Sequence, residues 1–280
     1  MRTALAIVSA ALLLAPSLAR GETRTFHSAS LGRDVTYAVQ LPPSYGNGKK
    51  FPVLYVLHGL FEGPEFWERR GLASQTQGLW EKKEIAEFIV VAVDGGNSFF
   101  LNGPLGKYED LVTRDLVAQV ESTLPAIPTR KERALLGISM GGYAALRIAF
   151  THPDLFGAVA THSAMLLEAI PRPEDGAGRW QMSAFYSAFS NPIDEKLWAA
   201  SDPLAEAGGV DPKAVPSLYF DCGSEDRYGL FRGNEALDKK LAARGISHEF
   251  ALHPGSHGYE YVRSVLDKSL GFVSRSLGSP

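Results

Sequence analysis

The sequence predicts an α/β domain with a mostly parallel central sheet and helices on both faces of that sheet. Short continuous apolar runs at 52–57, 88–93 and 134–138 are typical of strands buried on both faces of a parallel sheet. Stretches with helical spacing of apolar residues alternate with these runs, as at 108–122. A chain of 280 residues is long enough to form one such domain with a large core.

The remaining predicted elements continue this alternation. An antiparallel hairpin is expected first, with strands at 23–30 and 35–41 around a Leu-Gly-Arg-Asp turn. The other predicted strands span 155–161, 217–221 and 249–252, and the other predicted helices span 143–150, 230–243 and 262–273. We therefore expect a single domain over residues 22–280.

The stretch from 165 to 215 interrupts the rhythm of strands and helices. It contains no clear strand and is rich in aromatic side chains, among them Trp180, Phe185, Phe189 and Trp198. Because it lies between two strands, one interpretation is a lid inserted over the functional site. An ordinary helical excursion whose aromatic residues belong to the core fits the pattern equally well.

Residues 1–21 resemble a secretory signal peptide. Arg2 precedes an apolar run that Pro16 ends, and small residues follow, so cleavage is expected after Ala19 or after Gly21. The run is shorter than the roughly 20 apolar residues that a membrane span requires. We expect a secreted or periplasmic protein with no stable membrane insertion; the alternative is a retained N-terminal anchor.

Composition and residue spacing give no indication of several common partners, cross-links or cofactors. The formal net charge of −3 gives no reason to expect nucleic acid or an anionic membrane as a partner. Cys222 is the only cysteine, so the chain cannot form an internal disulfide. No histidine–carboxylate group has metal-site spacing and no glycine-rich phosphate loop occurs, so neither a metal nor a cofactor is expected.

A Gly-x-Ser-x-Gly motif at 137–141 lies between a predicted strand and a predicted helix. A strand that turns directly into a helix brings two backbones very close together, and glycine at both flanks avoids a clash there. Ser139 would adopt a strained backbone conformation that presents its hydroxyl above the sheet. The motif therefore predicts a catalytic serine at Ser139, and a plain tight-turn serine is the alternative.

A serine hydroxyl needs a base, which in turn needs an orienting carboxylate, and both are expected at the carboxyl ends of strands. His257 follows the last predicted strand and is the expected base, with His253 as its rival. Asp226 is the expected acid, because Gly223 allows a turn that would bring it to the site. Asp221 and Glu225 remain alternatives. The order Ser, Asp, His is that of the α/β-hydrolases.

An oxyanion hole requires two backbone N–H groups directed at the developing charge. Met140, at the start of the helix after Ser139, is expected to supply one of them. The other is expected from Leu60 or Phe61, which follow the strand at 52–57. The residues expected to line the substrate pocket are mostly aromatic: Phe61, Phe99, His162, Trp180 and Tyr259.

Four segments resemble the esterase D family: Leu-Pro-Pro-Ser-Tyr at 41–45, Pro-Val-Leu-Tyr-Val-Leu-His-Gly at 52–59, Gly-Ile-Ser-Met-Gly-Gly at 137–142 and Gly-Ser-His at 255–257. This family includes S-formylglutathione hydrolases, feruloyl and acetylxylan esterases, tributyrin-type esterases and mycolyltransferases. The similarity extends over about 31–272, nearly the whole mature chain. Relatives often carry a second glycine before the catalytic histidine and a tryptophan after it, where this chain has Ser256 and Tyr259.

The resemblance implies an α/β-hydrolase fold and a complete catalytic set. The implied roles are nucleophile for Ser139, acid for Asp226 in a Cys-Gly-x-x-Asp pattern, base for His257, and oxyanion donors for Leu60 and Met140.

The sequence therefore predicts a secreted serine carboxylester hydrolase that forms an acyl-enzyme from a small-molecule or carbohydrate-linked ester. Aromatic residues near the site favour an apolar or aryl acyl group. Three alternatives stay open: an acyltransferase with the same acyl-enzyme, an S-formylglutathione hydrolase-like thioesterase, and a binding protein that has kept the fold but lost the chemistry.

Overall fold

The computed structural model describes residues 21–175 and 178–278. Most of the predicted signal peptide, residues 1–20, lies outside these ranges. The described residues contain the following strands: β1 (Glu22–Ser28), β2 (Arg33–Gln40), β3 (Val53–Leu57), β4 (Ile89–Val93), β5 (Asn102–Gly103), β6 (Gly106–Lys107), β7 (Arg133–Ile138), β8 (Ala158–His162), β9 (Ser217–Gly223) and β10 (Glu249–His253).

The main sheet has the strand order β1-β2-β4-β3-β7-β8-β9-β10. β1 pairs antiparallel with β2, and β2 pairs antiparallel with β4. Every other neighbouring pair in this sheet is parallel. β5 and β6 form a separate small hairpin. The predicted fold class, a mostly parallel α/β sheet, is confirmed.

Helices cover both faces of the sheet: α1 (Phe66–Arg69), α2 (Leu72–Glu81), α3 (Tyr108–Asp110), α4 (Val117–Thr123), α5 (Met140–Thr151), α6 (Arg179–Phe189), α7 (Glu195–Ala200), α8 (Pro203–Gly209), α9 (Phe231–Ala243) and α10 (Tyr259–Ser276). A π-helical segment, Leu111–Leu116, joins α3 to α4. Two short 3₁₀ turns, Arg130–Glu132 and Pro173–Asp175, complete the helical elements. None of the helices in the described ranges is long and apolar enough to cross a membrane.

The sheet separates two apolar layers, because successive side chains of a strand point to opposite faces. On β3, the side chains of Tyr55 and Leu57 enter the layer that contains residues of α5. Leu54 and Val56 enter the other layer, together with residues of α2 and α10. All five residues of β3 are buried, which explains why this strand is an uninterrupted apolar run in the sequence.

The order of the strands reverses between β4 and β7. The chain passes from β3 to β4 on one side of β3 and later returns as β7 on the other side. Leu57 pairs with Gly137 at the ends of β3 and β7, so the loops that follow these strands begin side by side. Such a switch point opens a crevice at the carboxyl ends of the strands, where ligands bind in open α/β sheets.

The turn from β7 into α5 packs directly against the end of β3. A β-carbon on Gly141 would lie 2.1 Å from the carbonyl oxygen of Leu57, and one on Gly137 would lie 2.1 Å from the carbonyl oxygen of Gly141. Both contacts are with backbone atoms, which cannot rotate away. Only glycine fits at these two positions.

Several predicted elements begin at other residues in the structure, among them the helix predicted at 262–273, which starts at Tyr259. The strand predicted at 155–161 is Ala158–His162, because the N–H of Leu155 donates to the carbonyl of His152 in the turn that follows α5. The helix predicted at 143–150 starts earlier, at Met140. Helix α2 and the β5–β6 hairpin are additional elements.

The close approach of α5 to β3 predicts a large effect for Gly141→Ala. We expect the free energy of unfolding to fall by about 3 kcal/mol or more, because the added methyl group overpacks against a strand backbone. Gly78→Ala in α2 is the matched control: its β-carbon would meet no atom within 4 Å. That control should gain about 0.5–1 kcal/mol. Urea denaturation measures both values, and equal midpoints would show that the packing at Gly141 tolerates a side chain.

Candidate active site

Ser139 lies at the turn between β7 and α5 in a strained conformation, with φ 56° and ψ −111°. Its N–H donates to the carbonyl of His162 at 3.0 Å. Its carbonyl accepts the N–H groups of Tyr143 and Met165, each at 3.0 Å. These backbone bonds hold Ser139 in a conformation that a non-glycine residue rarely adopts.

A chain of hydrogen bonds connects Ser139 with two residues from distant parts of the sequence. Nε2 of His257 lies 3.1 Å from Oγ of Ser139, and Nδ1 of His257 lies 2.7 Å from Oδ2 of Asp226. The side chain of Asp226 is fully buried, and that of His257 is 14% exposed. An ionised carboxylate is only an acceptor, so Nδ1 carries the proton and Nε2 is free to accept one from the serine.

The loop after β9 positions Asp226. The N–H of Asp226 donates to the carbonyl of Gly223 at 3.1 Å, which forms the turn expected from the sequence. A β-carbon on Gly223 would lie 2.4 Å from the carbonyl oxygen of Gly255, so this glycine also allows the two loops to meet. Oδ1 of Asp226 accepts the N–H of Tyr228 at 2.9 Å.

Two opposing effects set the pKa of Asp226. Burial disfavours the charged carboxylate, but the hydrogen bond and charge of His257 and the backbone N–H groups of Tyr228 and Leu230 favour it. The second group of effects prevails, so the pKa lies below its ordinary value of 3.8. Asp226 therefore remains ionised at neutral pH and throughout the mildly acidic range.

Asp221, an alternative candidate for the acid, lies in a different environment. Asp221 is fully buried and accepts hydrogen bonds from Tyr219 Oη at 2.7 Å, Tyr261 Oη at 2.8 Å and His162 Nδ1 at 2.9 Å. Burial, followed by the charge of Asp221, raises the pKa of both tyrosines. Asp221 therefore belongs to a separate buried network.

The two other rivals, Glu225 and His253, form backbone hydrogen bonds with the loops around the site. Glu225 is exposed, and its backbone N–H donates to the carbonyl of Gly255. His253 ends β10, and its carbonyl accepts the N–H of Ser224.

The loop after β3 passes close to Ser139. A β-carbon on Gly59 would lie 3.5 Å from Cβ of Ser139, and Leu60 lines the same cleft as Ser139. Met140 begins α5, and the first N–H groups of a helix have no partner within the helix. The N–H groups of Leu60 and Met140 therefore belong to the two backbone segments that flank the serine hydroxyl.

A cleft of about 1020 Å³ contains Ser139 and His257. The first residues of the 165–215 insertion provide much of its apolar lining: Met165, Leu166, Leu167, Ile170 and Pro171. The loop after β9 also contributes Tyr228, whose ring meets the imidazole of His257 edge-on at 4.9 Å between centroids. The 165–171 segment belongs to the stretch 165–215, for which a lid over the site was one interpretation. Tyr228 was not among the residues expected in the pocket, although it follows Asp226 by only two positions.

The predicted pocket residues divide into three groups. Phe61 and Tyr259 line the cleft. Phe99 and His162 do not: Phe99 packs against Tyr143, Phe185 and Phe189 in the core, and His162 is fully buried against Asp221 and Ser269. The side chain of Trp180 lies outside the described part of the chain.

The fold and the site together define a protein of the α/β-hydrolase class. The family model described as "Putative esterase" matches residues 28–273. The chain belongs to this family of carboxylic ester hydrolases, which confirms the resemblance found in the sequence.

Individual relatives agree with this assignment. The chain is 28% identical over 244 residues to an endo-1,4-beta-xylanase/feruloyl esterase of Xylanibacter ruminicola, covering 81% of this chain and 28% of that protein. It is 23% identical over 278 residues to an esterase of Mycobacterium tuberculosis, covering 89% of this chain and 58% of that protein. The chain thus spans less than two thirds of the length of each of these relatives.

One of the similar solved structures has the same overall fold over nearly the whole length of both chains. A ferulic acid esterase superimposes with a TM-score of 0.78 at 28% sequence identity, covering 93% of this chain and 99% of that one.

The lowered pKa of Asp226 predicts a pH-dependent contribution to stability. The ionised carboxylate stabilises the folded state at neutral pH. This contribution declines as pH falls below the pKa that Asp226 has in the unfolded chain. It is lost once pH falls below the lower pKa that Asp226 has in the folded protein. The Asp226→Asn variant lacks it, so wild type and variant should differ more in free energy of unfolding at pH 7 than at pH 3. Urea denaturation at several pH values tests this, and a difference independent of pH would contradict the assigned pKa direction.

Proposed function

We propose that this protein is a serine carboxylic ester hydrolase that works through an acyl-enzyme. The hydrogen-bonded chain from Ser139 Oγ through His257 to Asp226 is the main support for this proposal, because three residues far apart in sequence meet in the arrangement of a catalytic triad. Membership of the esterase family supports it independently. A protein that only bound its ligand would not require all three side chains in this order.

In the proposed acylation step, Ser139 Oγ attacks the ester carbonyl while His257 Nε2 accepts the hydroxyl proton. Asp226 stabilises the imidazolium that forms and keeps the ring in the required tautomer. The N–H groups of Leu60 and Met140 stabilise the oxyanion of the tetrahedral intermediate. Collapse of the intermediate breaks the ester bond, and His257 returns the proton to the departing alcohol.

Deacylation repeats the same steps with water as the nucleophile. His257 accepts a proton from the water, which attacks the acyl carbonyl to form a second tetrahedral intermediate. When this intermediate collapses, the bond to Ser139 Oγ breaks, His257 returns the proton to Oγ, and the acid is released. An alcohol that took the place of water would make the enzyme an acyltransferase. Product analysis with and without an added alcohol separates these two outcomes.

The substrate we propose is a small-molecule or carbohydrate-linked ester with an apolar or aryl acyl group. The apolar lining from 165–171, together with Phe61 and Tyr259, supports this choice. We further propose that the 165–215 insertion acts as a lid that shapes the acyl site. Its aromatic residues Phe189 and Trp198, with ring centroids 4.9 Å apart, pack on the core and would anchor such a lid.

We also propose that the protein is exported, with cleavage after Ala19 or Gly21, on the basis of its signal-peptide-like first residues. The N-terminal residue of the mature protein tests this proposal, since it should be Arg20 or Glu22. A mature protein that begins at residue 1 or 2 would contradict it.

Ser139→Ala should abolish both ester hydrolysis and labelling by a fluorophosphonate. Asp226→Asn should lower kcat by about 10³–10⁴-fold, because the imidazole then loses its required tautomer. Glu225→Gln, a matched change of the neighbouring exposed carboxylate, should leave kcat unchanged. Initial rates of p-nitrophenyl acetate hydrolysis measure kcat for each variant. Undiminished labelling of Ser139→Ala would refute the assignment of Ser139 as the nucleophile. A large loss of kcat in Glu225→Gln would identify Glu225 as the acid instead.

Leu167→Ser should weaken binding of esters with long or aryl acyl groups, because Leu167 lies in the apolar lining of the cleft. We expect KM for such an ester to rise about fivefold, which corresponds to about 1 kcal/mol of lost apolar contact, with a smaller effect on an acetyl ester. Leu105→Ser is the control, since Leu105 is 47% exposed and does not line the cleft. Equal KM values for both variants would place the acyl group elsewhere.

A further inference from the structure

Two hydrogen bonds connect the loop after β3 with the loop after β4. The N–H of Gly95 donates to Nε2 of His58 at 3.0 Å. The N–H of Phe61 donates to Oδ1 of Asn97 at 2.8 Å. The proposed oxyanion donor Leu60 lies between these two attachment points. Neither His58 nor Asn97 has a role in the proposed chemical steps.

The first bond determines the tautomer of His58. A backbone N–H is only a donor, so Nε2 must accept and the ring proton must be on Nδ1. Nδ1 lies 2.8 Å from the carbonyl oxygen of Gly59 and therefore donates to it. His58 is fully buried, and this burial lowers its pKa, so the ring stays neutral at neutral pH.

The bond from His58 to Gly59 also orients the next N–H group. The peptide bond between residues 59 and 60 is trans, and in a trans peptide the carbonyl and the following N–H point in opposite directions. Because the carbonyl of Gly59 is held toward His58, the N–H of Leu60 must point away from it. The loop passes Ser139 at this position, and Leu60 lines the cleft.

The second bond holds the other end of the loop. Phe61 has φ 63°, a left-handed conformation that is rare for a bulky side chain. Such a conformation persists only where the surroundings enforce it. Asn97 accepts the Phe61 N–H, and thus restrains the peptide that immediately follows Leu60.

We propose that His58 and Asn97 are positioning residues that hold the Leu60 N–H in the direction required for an oxyanion donor. This inference rests on the proposed esterase function. It assigns a task in transition-state stabilisation to two residues that do not contact the reacting atoms. A correctly placed donor acts on the charge that develops during the reaction, so its loss should lower kcat more than it raises KM.

The central experiment compares Asn97→Ala with Asn102→Ala. Asn102 lies in the same connection after β4, and its Oδ1 accepts the N–H of Asp110 at 3.2 Å. Both variants therefore lose an asparagine side chain that accepts a backbone N–H, but only Asn97 touches the loop that contains Leu60. Thermal denaturation first establishes that both variants are folded.

With p-nitrophenyl acetate, Asn97→Ala should lower kcat by about 10- to 100-fold, less than the roughly 10²–10³-fold loss caused by deleting an oxyanion donor. Its KM should stay within about twofold of wild type. The inhibition constant of phenylboronic acid, whose tetrahedral adduct with Ser139 resembles the intermediate, should rise by a factor similar to the loss in kcat. Asn102→Ala should match wild type in all three measurements.

A second comparison tests His58 through His58→Asn and His58→Leu. The asparagine amide can still donate to the carbonyl of Gly59 from near the position of Nδ1, whereas leucine fills the space without a donor. Among folded variants, His58→Asn should retain more kcat than His58→Leu. Equal kcat in the two variants would show that the hydrogen bond to the carbonyl of Gly59 contributes nothing, and would overturn the positioning role of His58.

The outcomes separate this inference from the proposed function. A wild type that neither hydrolyses the ester nor reacts with a fluorophosphonate overturns both. An active wild type with equal kcat in Asn97→Ala and Asn102→Ala overturns only the positioning role of Asn97. A rise in KM at constant kcat for Asn97→Ala overturns it as well, because that result would mean that Asn97 only shapes the ground-state pocket.

Discussion

The backbone of α5 lies against the end of β3 so closely that no side chain fits between them. The contact of Gly141 with Leu57 brings the Ser139 turn to the same edge of the sheet as the loop that contains Leu60. A wider separation of β3 and α5 would move the serine hydroxyl away from the N–H of Leu60. The proposed nucleophile and the proposed oxyanion donor thus depend on one backbone contact.

Hydrogen bonds connect the rest of the site to this contact. The buried network around Asp221 holds His162, whose carbonyl accepts the N–H of Ser139. The loop after β4 holds the loop after β3 through His58 and Asn97. Strain at Ser139 and Phe61 is therefore maintained by hydrogen bonds from neighbouring strands and loops, as expected for residues in rarely populated backbone conformations.

Much of the fold was predictable because its signals are local. Uninterrupted apolar runs predict strands that are buried on both faces, and this holds for β3, β4 and β7. The buried residues of α2, among them Leu72, Thr76 and Leu79, have helical spacing, so this helix could also have been found. The start of β8 was not predictable, because Leu155 is apolar but its N–H closes a turn after α5.

By itself, the sequence determined the α/β class, the esterase family and a short set of candidate residues, because strand periodicity and the glycine-flanked serine are properties of neighbouring residues. Only the tertiary structure showed that Asp226 is hydrogen-bonded to His257 and that Asp221 is bonded to Tyr261, since Asp221 lies within β9 and Asp226 just after it. It also showed that Phe99 and His162, which were expected to line the pocket, are buried in the core. The direction of a side chain or an N–H group depends on contacts between distant segments, and a linear pattern does not contain that information.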